Sequence, residues 1–171
     1  IISIYAEDNQ SLLNFGALAN SLLFDFLIKV TGKNNLYKTT LENLPLKVED
    51  KYMPSILKRS LILTCSTRHF ASIWEENYSI SFLEDNWSVL DNRLKDFMDY
   101  KKSWNFNAFK LNDFARRQLS VEIDVLTALG LGLKIDDLLD VYNIQFRVLK
   151  KNDEDTWYDN EGKIIFTVNA G

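Results

Sequence analysis

Cysteine, histidine, proline and glycine are all scarce in this sequence of 171 residues. The single cysteine, Cys65, excludes an internal disulfide bond and a cluster of thiolate metal ligands, and it fits a reducing compartment such as the cytoplasm. Two prolines and six glycines interrupt the chain rarely, which favours helices over a sheet-rich sandwich. No apolar run approaches the roughly 20 residues that span a bilayer, and the start lacks the basic flank of a signal peptide.

Apolar and aromatic residues, by contrast, are plentiful. Hydrophobic residues make up 46% of the sequence and aromatic residues 13%. The chain therefore has the material for one domain, or for two small domains that share a core, and a disordered chain is not expected. The opening residues 1–4, Ile-Ile-Ser-Ile, are typical of a strand that belongs to a longer protein.

Charge is unevenly distributed along the chain. The formal net charge is −4, which argues against a stand-alone protein that binds nucleic acid of any sequence. Residues 29–70, however, carry eight Lys and Arg against three Asp and Glu, whereas residues 120–171 carry five against ten. One end of the chain can thus approach phosphate, and the other end would be repelled by it.

Apolar spacing predicts a mainly α fold (α+β), a helical domain with a small C-terminal β-hairpin. Helices are predicted at 11–30, 115–129 and 135–143, with Gly32 ending the first of them. Residues 41–46 form a short Leu-Pro element that packs back onto the first helix. Two β-prone runs, 156–158 and 164–168, surround the turn residues Asp159-Asn160-Glu161-Gly162 and predict the hairpin.

Two segments are less clear from their patterns. Residues 82–102 place Trp87, Leu90, Leu94 and Phe97 at helical spacing. Residues 55–75 fit either a second helix or an exit from the preceding loop, and their apolar positions leave both open.

No catalytic residue and no metal ligand is predicted. His69, the one histidine, has no nucleophile and acid assignable to it by spacing, so a surface or structural role is expected. A metal-dependent nuclease would use a set such as Asp153, Asp155 and Glu161 with Lys163, but Glu161 and Lys163 fall in the predicted hairpin turn, which favours turn chemistry. Gly130-Leu131-Gly132 joins two helices, so it is not a nucleotide-binding loop.

A helix-turn-helix reading of that junction is also disfavoured. The second helix would have to enter the major groove carrying Asp136, Asp137 and Asp140, and these carboxylates would be repelled by the phosphates.

The basic loop after the first helix is the most informative candidate site. Lys29, Lys33 and Lys38 are suited to phosphate contacts. The amide side chains of Asn34 and Asn35 can hydrogen-bond the DNA backbone or an adenine edge. A solvated surface loop is the alternative interpretation of the same residues.

Two stretches resemble a known family. Residues 18–26 (LANSLLFDF), 31–36 (TGKNNL) and 41–46 (LENLPL) are similar to a helix, glycine loop and Leu-Pro exit found beyond the catalytic domain of type II and type IIG adenine-specific DNA methyltransferases. Residues 116–126 (RRQLSVEIDVL) through 138–146 (LLDVYNIQF), ending in 155–159 (DTWYD), resemble the extreme C-terminus of large restriction–modification methylases.

The resemblance implies a parent enzyme that methylates the exocyclic amine of adenine with S-adenosylmethionine. Its base-flipping catalytic domain would lie before Ile1, because the Asn-Pro-Pro-Tyr/Phe tetrapeptide and the donor-binding loop are absent here. Residues 1–50 would be the end of a target-recognition-like region, and residues 51–171 a C-terminal helical domain with the terminal hairpin.

The chain is therefore expected to be a non-catalytic part of such an enzyme in the cytoplasm. Its partners would be double-stranded DNA and its own catalytic domain, with no membrane. Besides the basic loop, Arg116 and Arg117 are a second, weaker candidate for DNA contact. The acidic C-terminal third would serve as a scaffold.

Two other classes of function compete with this hypothesis. A protein–protein interaction module without DNA contact would scatter the lysines and expose an apolar patch. A small hydrolase would need a pocket that joins His69 to a carboxylate and a nucleophile, which no spacing indicates.

Overall fold

A computed structural model describes residues 8–32 and 38–167. These residues form a helical domain that ends in a two-stranded antiparallel hairpin, which confirms the predicted fold class. The helices are α1 (Asn9–Ala19), α2 (Leu22–Val30), α3 (Lys38–Glu42), α4 (Met53–Thr64), α5 (Ala71–Asn77), α6 (Phe106–Phe109), α7 (Asp113–Gly130), α8 (Ile135–Gln145) and α9 (Arg147–Asp155). The strands are β1 (Trp157–Tyr158) and β2 (Ile164–Phe166). The strand predicted at residues 1–4 lies outside the described residues.

Helix α7 is the central element and spans two apolar cores. It begins where the Asn112 side chain accepts a hydrogen bond from the Ala115 amide at 2.7 Å, a standard N-cap. It ends at Gly130, and Gly132 follows with a φ of +78°, so the predicted glycine break is confirmed. Leu119 and Ile123 are completely buried in the first core, while Ala128 belongs to the second.

The first core is rich in aromatic side chains. It packs α4 against α7, and α1 and α5 against α4. It includes Trp74, Phe97, Tyr100 and Phe109. The rings of Trp74 and Phe109 meet edge to face, with centroids 4.9 Å apart. The smaller second core joins α2, α7 and α8 through the side chains of Leu22, Leu23, Ala128, Leu138 and Phe146.

The single helix predicted at 11–30 is wrong, because the chain breaks at Asn20-Ser21. Helices α1 and α2 meet there at an angle of 82°. Ser21 is extended, the Asn20 side chain donates to Ser60 Oγ at 2.8 Å, and the amide of Leu22 donates to Asp124 Oδ1 at 2.6 Å. The bend lets α1 join the first core, while α2 places Phe24 in the first core and Leu22 and Leu23 in the second. No single described helix has the length and apolarity to cross a bilayer; only the bent pair α1–α2 meets those criteria together.

The helical spacing seen in residues 82–102 does not correspond to a helix. The segment consists of turns and short 3-10 stretches, and Leu90 is fully exposed. Its order comes from side chains that bind backbone groups: Trp87 Nε1 donates to the Lys95 carbonyl at 2.7 Å, and the ring of Trp87 stacks on Phe97. The sequence left two alternatives for residues 55–75. In the structure, helix α4 ends at Thr64 and helix α5 begins at Ala71.

The hairpin is fastened to the first turn of α7. The Phe114 amide donates to the Gly162 carbonyl at 2.9 Å, and the Ile164 amide donates to Asp113 Oδ2 at 3.0 Å. Asn112 Nδ2 also donates to the Glu161 carbonyl at 2.7 Å. Gly162 has a φ of +79°, and a Cβ atom there would lie 2.5 Å from Asn112 Nδ2, so this position requires glycine.

Candidate functional site

Lys29 and Lys38 are exposed at the two sides of the predicted basic loop. Lys29 Nζ lies 2.7 Å from Asp25 Oδ2, and Lys38 Nζ lies 3.5 Å from Glu42 Oε1. Both contacts are solvent-exposed i,i+4 pairs, which typically contribute only about 0.3–0.5 kcal/mol. A phosphate can therefore replace either carboxylate at small cost.

The middle of that loop lies outside the described residues. This applies to Lys33, Asn34 and Asn35, and their predicted DNA contacts stay predictions. Gly32 is described and has a φ of +64°, the left-handed conformation expected of a glycine that ends a helix. The end of α2 predicted from this glycine is thereby confirmed.

Arg116 and Arg117, the second predicted contact, have different environments. Arg116 is exposed. The guanidinium of Arg117 binds Asp153 through both carboxylate oxygens, at 2.8 and 2.5 Å, and the Tyr142 hydroxyl donates to the same carboxylate at 2.6 Å. Bidentate pairing of this kind is strong and already neutralises the charge of Arg117. Arg116 is thus a surface cation, whereas Arg117 belongs to a partly buried ion pair.

The Arg117–Asp153 pair lines a pocket of about 390 Å³. The pocket lies between α7 and α8, with single contributions from α2, α9 and β1. Its apolar lining consists of Leu22, Phe114, Val121, Val125, Leu138 and Leu139. Its polar lining, besides the ion pair, consists of Gln118, Asp124, Tyr142 and Tyr158. An apolar enclosure with a few convergent polar groups is the usual composition of a small-ligand site.

Asp124 is the unusual titratable group of this pocket. Its Oδ1 accepts the Leu22 amide at 2.6 Å, and it forms no ion pair with any described residue. Burial raises the pKa of Asp124 to about 6, although the Leu22 amide and the charge of Arg117 act in the opposite direction. The carboxylate is therefore mostly ionised at neutral pH and lacks a cation of its own.

A second polar cluster is buried on the other side of α7. Arg59 Nε donates to Glu122 Oε2 at 2.6 Å, and Arg59 Nη1 lies 2.5 Å from Asp85 Oδ2. Ser88 donates to Glu122 through both its amide and its hydroxyl, at 2.8 and 2.6 Å. The cluster fixes the irregular segment around residues 85–88 between α4 and α7, which is a structural role.

Lys58 is also buried, beside this cluster. Its ammonium group donates to the Phe82 carbonyl and lies 3.7 Å from the centroid of the Phe97 ring. Burial lowers the pKa of Lys58 to about 8. Because Lys58 is inaccessible to solvent, it too is assigned a structural role and not a catalytic one.

The acidic residues and the lysine of the nuclease hypothesis have separate partners. Asp153 is bound to Arg117, while Glu161 is exposed in the hairpin turn and pairs with Lys163 at 2.7 Å. Within residues 8–32 and 38–167, no group of three His, Cys, Asp or Glu side chains is arranged to hold a metal ion. His69 is exposed on a 3-10 turn.

The last two helices and the hairpin expose many apolar side chains. These exposed side chains are Leu139 and Ile144 on α8, Val148 on α9, and Trp157, Ile164, Ile165 and Phe166 in the hairpin. Between 46% and 71% of each of these residues is accessible. Exposed apolar side chains gathered in one region of a chain are a common feature of surfaces that contact another protein.

Comparison with known proteins adds no relative. No family model, curated protein or solved structure matches this chain.

The pocket residues were missed by sequence reasoning because the partner of Arg117, Asp153, lies 36 residues away. One signal was present: Arg117 and Asp124 are spaced by seven on a helix that is apolar around most of its circumference, which places both on one side of it.

Proposed function

We propose that this chain is a non-catalytic C-terminal part of an adenine-specific DNA methyltransferase of a restriction–modification system and helps to recognise double-stranded DNA. The two sequence stretches that resemble this family support the assignment. The observation that carries the DNA contact is that Lys29 and Lys38 are exposed on both sides of residues 33–37. Each forms an exposed ion pair, and Lys29 Nζ also lies 4.5 Å from the centroid of the Phe146 ring.

In this proposal the chain supplies no reacting group. S-adenosylmethionine and the flipped adenine are held by the catalytic domain of the parent enzyme. Arg116 remains a weaker DNA contact, whereas Arg117 is assigned to the partly buried ion pair with Asp153. The acidic C-terminal third, with its exposed apolar side chains, packs against the catalytic domain.

The test is a titration of a labelled DNA duplex with the 171-residue chain. Binding is measured by fluorescence anisotropy at salt concentrations from about 50 to about 200 mM. The double variant Lys29→Gln/Lys38→Gln removes the two cations. Losing two phosphate contacts is expected to reduce the slope of log affinity against log salt by about 2. The matched control Lys101→Gln/Lys102→Gln removes two exposed lysines beside the first core and should leave the slope unchanged.

Two results would contradict the proposal. One is the absence of duplex binding at the lowest salt concentration. The other is an equal loss of affinity in the control variant, which would indicate a response to net charge alone.

The exposed apolar surface of α8, α9 and the hairpin favours a second candidate function, a protein–protein interaction module without DNA contact. This function predicts no salt-dependent DNA binding. It also predicts that the rest of the parent enzyme, expressed as a separate chain, co-purifies with this one, and that Ile165→Ser/Phe166→Ser abolishes the association.

A further inference from the structure

The pocket between α7 and α8 has an unbalanced charge. Arg117 and Asp153 neutralise each other through two hydrogen bonds, so Asp124 leaves the pocket with a net charge of about −1. Asp124 Oδ2 accepts no hydrogen bond from the described residues, whereas Oδ1 is used by Leu22. A partly buried carboxylate without a cation is costly, and a bound cation would remove that cost.

We infer that this pocket binds a primary ammonium group carried on an apolar chain, with Asp124 as the residue that recognises the charge. The apolar wall of leucine and valine side chains would cover the hydrocarbon part of the ligand. The ammonium donates to Oδ2 of Asp124, the acceptor that is still free.

The aromatic side chains of the pocket are compatible with a cation. Phe114 and Tyr158 pack edge to face, with centroids 5.4 Å apart, and both line the cavity together with Tyr142. The faces of aromatic rings carry partial negative charge and attract ammonium groups. Burial also raises the pKa of Asp124, because the charge of Arg117 only partly offsets the loss of water around the carboxylate.

Other ligand classes fit less well. An anion would be repelled by Asp124, and the guanidinium of Arg117 is already occupied by Asp153. A purely apolar ligand would displace water from Oδ2 of Asp124 and leave that oxygen without a hydrogen-bond donor, which is unfavourable. A DNA phosphate is excluded for the same reason as other anions, so the pocket is independent of the proposed DNA contact.

The ammonium group has two sources, a free alkylamine or the lysine side chain of a protein partner. The first probe is n-hexylammonium, titrated against the isotope-labelled chain at neutral pH and followed by NMR shifts of the Leu22 and Asp124 amides. The neutral analogue n-hexanol tests the charge without any mutation. The second probe is the blocked tripeptide Leu-Lys-Leu, compared with the same peptide carrying norleucine in place of lysine.

The expected result is saturable binding of the charged probe and at least about tenfold weaker binding of its neutral analogue, as for a lost hydrogen bond to a charged group. Asp124→Asn keeps an acceptor for the Leu22 amide and should weaken the ammonium by a similar factor. The control Asp140→Asn removes an exposed carboxylate of α8 and should have no effect. Binding of hexylammonium without binding of the lysine peptide identifies a free amine as the ligand. Tighter binding of the lysine peptide than of hexylammonium identifies the side chain of a protein partner. Equal binding of charged and neutral probes, or binding of neither, overturns the inference.

Discussion

The buried cluster around Arg59 gives a prediction about the variant Glu122→Leu. The carboxylate of Glu122 accepts four hydrogen bonds, from Arg59 Nε, from the amide and hydroxyl of Ser88, and from Gln118 Nε2. A leucine at this position preserves the apolar volume approximately but leaves the guanidinium and the Ser88 amide without this acceptor.

The magnitude follows from what Arg59 retains. Removing one partner of a buried ion pair typically costs about 3–5 kcal/mol. Arg59 still binds Asp85 and the carbonyl oxygens of Ser55 and Asn86, so we expect the lower end, about 3 kcal/mol of the free energy of unfolding. The double variant Arg59→Met/Glu122→Leu removes both charges and should cost clearly less than the sum of the two single changes.

The assay is urea denaturation followed by circular dichroism, with a complete double-mutant cycle. Glu154→Leu is the matched control, because Glu154 forms an exposed pair with Lys150 at 3.8 Å, and its loss should cost less than about 1 kcal/mol. The reasoning is refuted if Glu122→Leu costs no more than Glu154→Leu, or if the double variant shows the full sum.

Three further predictions concern single positions. The pKa of Asp124 is raised from 3.8 to about 6, so the stability from this group is complete below pH 3.8 and is lost as the pH rises through 6. Asp124→Asn should remove that decline, about 1–3 kcal/mol between these limits; unfolding curves measured across that range would show an unchanged decline if the idea is wrong. Gly162→Ala should lower the free energy of unfolding by about 2–3 kcal/mol, because of the positive φ and displacement of the Asn112 cap, whereas an unchanged denaturation midpoint would argue against it. Burial raises the pKa of the Cys65 thiol to about 11, so a thiol reagent should react slowly with the folded chain and rapidly in urea; rapid reaction of the folded chain would contradict this.

The sequence allowed α7, α8 and the hairpin to be predicted because local signals agree there. Asn112 and Gly130-Leu131-Gly132 bound one helix, acidic residues fill the first turn of the next, and turn residues separate two β-prone runs. The break at Asn20-Ser21 was missed because the apolar spacing continues across it. What bends the chain is the contact of Leu22 with Asp124, a residue 102 positions away.

The helical spacing in residues 82–102 does not produce a helix for a related reason. Its spacing resembles a helix, but its order depends on buried cations that need carbonyl acceptors: Arg59 takes the carbonyl of Asn86, and Lys58 that of Phe82. A regular helix would use these carbonyls internally. The candidate pocket was missed for the same reason, because its ion pair joins Arg117 to Asp153, 36 positions along the chain.

The attachment of the hairpin to the start of α7 has a consequence for how the chain folds during synthesis. The amide of Phe114 and the carboxylate of Asp113 find their partners at Gly162 and Ile164, some fifty residues later. The first turn of α7 thus lacks these contacts until the hairpin has left the ribosome. A translation pause before that point would leave the helix in place with its beginning frayed, and open to a chaperone or a protease.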